Sequence, residues 1–162
     1  MTHATEIVVI RDVHGRFEVC FIKSMVNQDF DIQEQAVMDC LNVAGLRRLW
    51  VDATGMGKQF GERLVKAYPT RVHPVNFTWS NKEYMAKELK RRLQEGGLLI
   101  PRNQSLMQQL HTVRRSYLDS GRVRFDAPEN GSDHADKFWA LAMALGAATD
   151  VRAGVRARTI MG

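Results

Sequence analysis

Leu49-Trp50-Val51-Asp52-Ala53-Thr54-Gly55-Met56-Gly57 is the stretch from which the rest of the chain is read. Its apolar run predicts a short strand that ends on a carboxylate, Asp52. The two glycines then let the backbone turn sharply into a helix bearing Phe60, Leu64 and Val65 on one side. An acid at the carboxyl end of a buried strand stands where open α/β sheets place their ligands. A second acid, Asp136, lies in His134-Ala135-Asp136-Lys137-Phe138-Trp139-Ala140-Leu141-Ala142 and opens the most apolar helical stretch. The functional expectation is that both carboxylates meet around a divalent metal. By spacing alone, Asp52 serves equally well as a turn or N-cap residue, and Asp136 as a first-turn acid favoured by the helix dipole.

Upstream, Glu6 to Arg11 is β-branched and Arg16 to Lys23 alternates with period two around Asp12-Val13-His14-Gly15. This predicts an antiparallel hairpin with Asp12 in its turn. Asp31 is the expected cap of a helix whose apolar face is Ile32, Ala36, Val37, Cys40, Leu41 and Val43, with Gly45 as its stop. Downstream, a helix is predicted over 58–68 and an extended run over 71–77, with Pro74 marking a sheet edge or strand entry. Ser80 and Glu83 have the form of a capping box. The helix behind them turns Met85, Leu89 and Leu93 inward and Lys82, Lys87, Lys90, Arg91 and Arg92 outward. A short strand over 98–101, an amphipathic helix over 104–117 and an extended segment over 122–125 follow. Pro128 to Ser132 is a loop, and the helix predicted over 133–148 is apolar nearly all round, hence buried. The order describes a mixed α/β sheet flanked by helices, antiparallel part first, in one domain over residues 1–150 with a basic tail over 151–162.

With 162 residues, 44% of them hydrophobic, the chain can bury a core of its own. No run approaches the length of a membrane span. Cys20 and Cys40 read as buried free thiols of a cytosolic protein. A net charge of +5 suits a polyanionic partner. Gly55-Met56-Gly57-Lys58 is not a phosphate loop, since Asp52 stands at the position of its first glycine and Gln59 replaces Ser or Thr. Neither H-x-x-x-H nor C-x-x-C occurs, which argues against zinc, and no strand-to-helix nucleophile elbow is visible. Carboxylates remain, and they favour hard ions such as Mg²⁺ or Mn²⁺. Two such ions about 3.5–4 Å apart activate a water and stabilise the leaving oxygen in phosphodiester cleavage.

Val51-Asp52-Ala53-Thr54-Gly55-Met56-Gly57, Pro74-Val75-Asn76-Phe77-Thr78, Lys82-Glu83, Gly97-Leu98-Leu99-Ile100-Pro101-Arg102 and His134 to Ala142 occur in an order that resembles one family. The family is the carboxy-terminal nuclease domain of large terminase subunits of tailed bacteriophages, including Mu-like prophages. The resemblance runs from about Thr5 to Ala148. It implies a ribonuclease-H-like fold and a two-metal endonuclease that cuts concatemeric double-stranded DNA during genome packaging in the host cytoplasm. The portal and the small terminase subunit are the partners it implies. Its catalytic acids carry over to Asp52 as the second and Asp136 as the third, with Asp133 and His134 beside the third and Asp133 a further metal ligand. The family's first acid belongs in an opening strand of the form apolar-Gly-x-Asp, ahead of a segment like Ala4-Thr5-Glu6. The expectation is that this strand and its aspartate are absent here and that cleavage is slow or lost. Two alternatives accompany it: another ribonuclease-H-like enzyme such as a resolvase or transposase core, and a DNA-binding or docking fragment that keeps the fold but does not cut.

Overall fold

The structure, a computed structural model, describes residues 4–54, 57–117, 119–121, 123–126 and 135–149. A long hairpin opens it, with β1 (Ala4–Val13) antiparallel to β2 (Arg16–Val26). The turn is His14-Gly15 alone: Asp12, expected within it, still pairs with Phe17 near the end of β1, and its Oδ1 accepts the Gly15 N–H at 2.8 Å. The register slips between Val9 and Ile10, so that Cys20 is the extra residue of a bulge. Before the bulge Val19 points inward; after it Ile22 does, and Phe21 turns outward. The same slip exposes Cys20, contrary to the expectation of a buried thiol; Cys40 is half-buried.

Helix α1 (Phe30–Leu41) follows, with Asp29 rather than Asp31 at its N-cap position and Asp31 inside the first turn; Ile32 and Val43, expected on its apolar face, are exposed, Val43 because the helix ends before it. Then come β3 (Leu49–Asp52), α2 (Gly57–Ala67) and β4 (Val72–Val75). Strands β3 and β4 pair in parallel through Leu49–Val72 to Asp52–Val75. Pro74 is tolerated because β4 has no second neighbour among the described strands. Helix α3 (Trp79–Gln94) is capped by Thr78, whose hydroxyl accepts the Asn81 N–H, two residues before the expected Ser80. Glu83 pairs instead with Lys87 along the helix surface. The short β5 (Leu98–Leu99) lies parallel to β2, making the first sheet mixed. Helix α4 (Gln104–Thr112) ends five residues before the expected stop at Tyr117. The remainder forms β6 (Arg114–Tyr117), paired with β7 (Val123–Asp126).

Helix α5 (Asp136–Thr149) is buried over most of its length, as its all-round apolarity requires, and packs across both β1 and β3. One core lies where α5 meets α3, α4 and the hairpin, around Leu89, Leu106, Leu141 and Leu145. A second joins α1 and α2 to β1 and the start of β4, around Leu41, Leu64 and Val72. No helix among the described residues is long and apolar enough to cross a membrane.

At Gly146 helix α5 lies hard against the Trp50 indole of β3. A Cβ added there would clash with Cζ3 of Trp50. Gly146→Ala is therefore expected to destabilise the fold by about 1–3 kcal/mol through overpacking. Urea unfolding measures it, and an unchanged midpoint would mean that the indole swings aside at no cost.

Strands β1 and β3 are not hydrogen-bonded to each other: β1 pairs with β2 alone and β3 with β4 alone among the described strands. A cleft opens between them, lined by Ala4 to Val13 on one side and Leu46 to Asp52 on the other. Its floor is one face of α5, where Asp136, Trp139, Ala140, Met143, Ala144 and Ala147 recur at helical spacing.

Candidate active site

Asp52 is the last residue of β3, and the ladder continues one step beyond it through the Ala53 N–H to Val75 carbonyl bond of 2.9 Å. Its Oδ1 accepts the Thr54 N–H at 2.8 Å. The bland reading of Asp52 as a turn residue thus holds for one of its two oxygens. The Thr54 hydroxyl in turn accepts the Phe77 N–H at 3.1 Å, tying the end of β3 to the segment after β4. Threonine two residues after the acid lies inside the motif read first, yet sequence assigned it no task. The signal was the Asx-turn spacing, which only a partner across the sheet makes specific.

Asp136 heads α5. The helix runs antiparallel to β3, because Arg48, just before the strand, donates to the Ala147 carbonyl near the helix C-terminus at 3.3 Å. That contact suits a cation at the negative end of a helix. The opposite end of α5 therefore lies at the Asp52 end of β3. There the Phe77 and Trp139 rings pack with centroids 5.6 Å apart, and Phe138 meets Trp139 edge-on at 4.9 Å. Trp139 is buried. It also carries the Lys82 ammonium 4.7 Å from its ring centroid. Lys82 is consequently not only part of a solvated face, as the outward-pointing pattern suggested.

Lys137, next to Asp136, has Nζ 3.2 Å from Glu6 Oε1 and donates to Ser105 Oγ at 3.0 Å. Both side chains of this ion pair are largely out of solvent, with exposures of 13% and 5%, so neither charge could be left there alone at small cost. Neither Glu6 nor Lys137 stands out by spacing in the sequence, since their pairing joins residues far apart in the chain.

Asp52, Thr54 and Asp136 border the same cleft. Among the described residues no three His, Cys, Asp or Glu side chains converge as a metal-binding group. Asp133 and His134 lie outside the described residues, as do Gly55 and Met56 of the first motif and the tail over 151–162.

The two acids thus stand at the end of a parallel strand pair and at the head of a buried helix that packs across both sheets. Residues 3–148 match the terminase RNaseH-like domain family, and the chain belongs to it. Among solved structures, the large terminase nuclease of thermophilic phage G20c with bound magnesium aligns with a TM-score of 0.68 at 17% identity, over 88% of this chain and 81% of that one. The same nuclease with bound cobalt gives 0.68 at 18% identity, again over 88% and 81%. The large terminase nuclease domain of Thermus phage P74-26 gives 0.64 at 16% identity, over 87% and 78%. These likenesses bear on the fold, which they share with this chain. No curated protein matches by sequence.

Proposed function

We propose that this chain is a metal-dependent DNA endonuclease domain of a phage large terminase subunit, cutting concatemeric double-stranded DNA during packaging. The observation that carries the reading is that Asp52 and Asp136 line one cleft. Relatives solved with bound magnesium and cobalt support a divalent ion. Asp52 and Asp136 would hold it, with Asp133 a further donor, and their hard oxygens suit Mg²⁺ or Mn²⁺. When bound, such ions activate a water and stabilise the leaving oxygen.

The chain's own side chains supply the rest. Thr54 fixes the turn that orients Asp52, and the aromatic contact of Phe77 with Trp139 keeps the ends of β4 and α5 together. Lys82, held against Trp139, adds positive charge at the same end, where a phosphate backbone would pass. Cleavage in the host cytoplasm, with portal and small subunit as partners and a Mu-like prophage as the source, completes the reading; the motif resemblance is its support.

A second reading is a DNA-binding fragment that keeps the fold without cutting. Incubating the purified protein with supercoiled plasmid decides between them. Nicking is expected with Mn²⁺ or Mg²⁺, abolished by chelator and restored by excess ion. Salt-sensitive DNA binding without nicking at any ion concentration would establish the second reading instead.

A further inference from the structure

Helix α5 begins without a capping side chain at its N-cap position. Its first residue is Asp136, preceded by Ala135, which is fully buried in the left-handed conformation at φ 58°. A non-glycine residue there is strained and persists only where its surroundings over-determine it. The first N–H groups of a helix are orphan donors, ordinarily served by Ser, Thr, Asn or Asp at the N-cap. Alanine has no oxygen to offer. Instead Gln109, on α4, brings Oε1 to the Phe138 N–H at 3.1 Å. Gln109 is 2% exposed. A buried amide of this kind is expensive unless its bonds are made, so the contact with Phe138 is a strong geometric constraint.

Four residues before Gln109, on the same face of α4, Ser105 accepts from Lys137. Lys137 continues to Glu6 of β1. Two successive side chains of one helix face thus grip two successive residues of the first turn of α5, immediately after Asp136. Asn103 secures α4 itself by accepting the Leu106 N–H at 2.9 Å.

We propose that Gln109 is a positioning residue for Asp136, seconded by Ser105 through Lys137. By capping α5 from another helix it fixes the backbone that carries the carboxylate. This rests on the nuclease reading with Asp136 as a metal ligand. Catalytic groups must be held within a fraction of an ångström, and the first turn of a helix is where fraying would otherwise spend that precision.

Gln109→Met keeps length and removes the acceptor. Two readouts are compared with the parent: amide exchange at Phe138 relative to Leu145, and Mn²⁺-dependent plasmid nicking resolved into kcat and KM for DNA. Exchange at Phe138 should quicken and kcat should fall, each by roughly tenfold, with KM within about twofold. Ser105→Ala, at a half-buried position, should move both readouts the same way by less, and serves alone if the methionine variant does not fold. Faster exchange with parental kcat would make the contact a helix cap and nothing more, overturning the proposal. So would a loss that appears in KM alone. A parent that neither nicks nor responds to metal, alone or extended ahead of Met1 by a Gly-x-Asp strand, would sink the nuclease reading, and this inference with it; an active parent beside an unaffected variant sinks the inference only.

Discussion

Asp52→Asn and Asp136→Asn should each lower Mn²⁺-dependent plasmid nicking by roughly 10²- to 10³-fold or more, with secondary structure unchanged. The reason is charge. Replacing a carboxylate by an amide of the same shape removes half of the negative charge that the two acids offer a cation. It also removes the field that would stabilise the reacting centre. The shape argument makes the test clean at Asp52: asparagine keeps an Oδ1 to accept the Thr54 N–H, so the turn at the end of β3 survives. Thr54→Val is the companion control, since it loses the tie to Phe77 and leaves the charge in place. Nicking rates with circular dichroism of each variant check the expectation. Parental cleavage by either asparagine variant would remove that residue from the catalytic set.

Filling the cleft between β1 and β3 with a strand should raise nicking by at least roughly tenfold if that strand brings an acid to the Asp52 end. The two strands face each other with edges that no described strand pairs, over a floor of small and apolar α5 side chains. Exposed apolar strand edges recruit other chains, so residues 1–162 alone should self-associate. An added strand would pair with both edges at once and suppress that association. The comparison is between this chain and the same chain extended ahead of Met1 by a Gly-x-Asp strand, by light scattering and by plasmid nicking. A monomeric short chain with equal activity would show that the cleft needs no strand and that the expectation drawn from the family's opening acid is wrong.

What could be read from sequence was local or periodic. The alternation of the hairpin, the apolar run ending at Asp52 and the all-round apolarity of α5 each express a burial pattern that neighbouring residues impose. The order of those elements with their two acids was enough to indicate a terminase nuclease family. The misreadings share a cause. Residues 113–117 continue an amphipathic pattern, yet the chain leaves the helix at Thr112 because β7 offers Arg114 to Tyr117 a strand partner. Cys20 sits in an alternating run, yet a bulge against β1 turns it to solvent. Ser80 looked like the cap, but Thr78 reaches the orphan donor first. In each case a partner distant in sequence, or a one-residue shift of phase, outweighed a local preference of about 1 kcal/mol. The site follows the same division. Sequence supplied the acids and the small residues beside them. The antiparallel run of α5 along β3, its ends set by Arg48 and by Phe77 against Trp139, brings Asp136 to the end of the sheet that holds Asp52. The cap of Gln109 on Phe138 and the buried pair of Lys137 with Glu6 exist only once three elements have packed. No spacing encodes them, because a hydrogen bond across the core depends on where the backbones have come to rest.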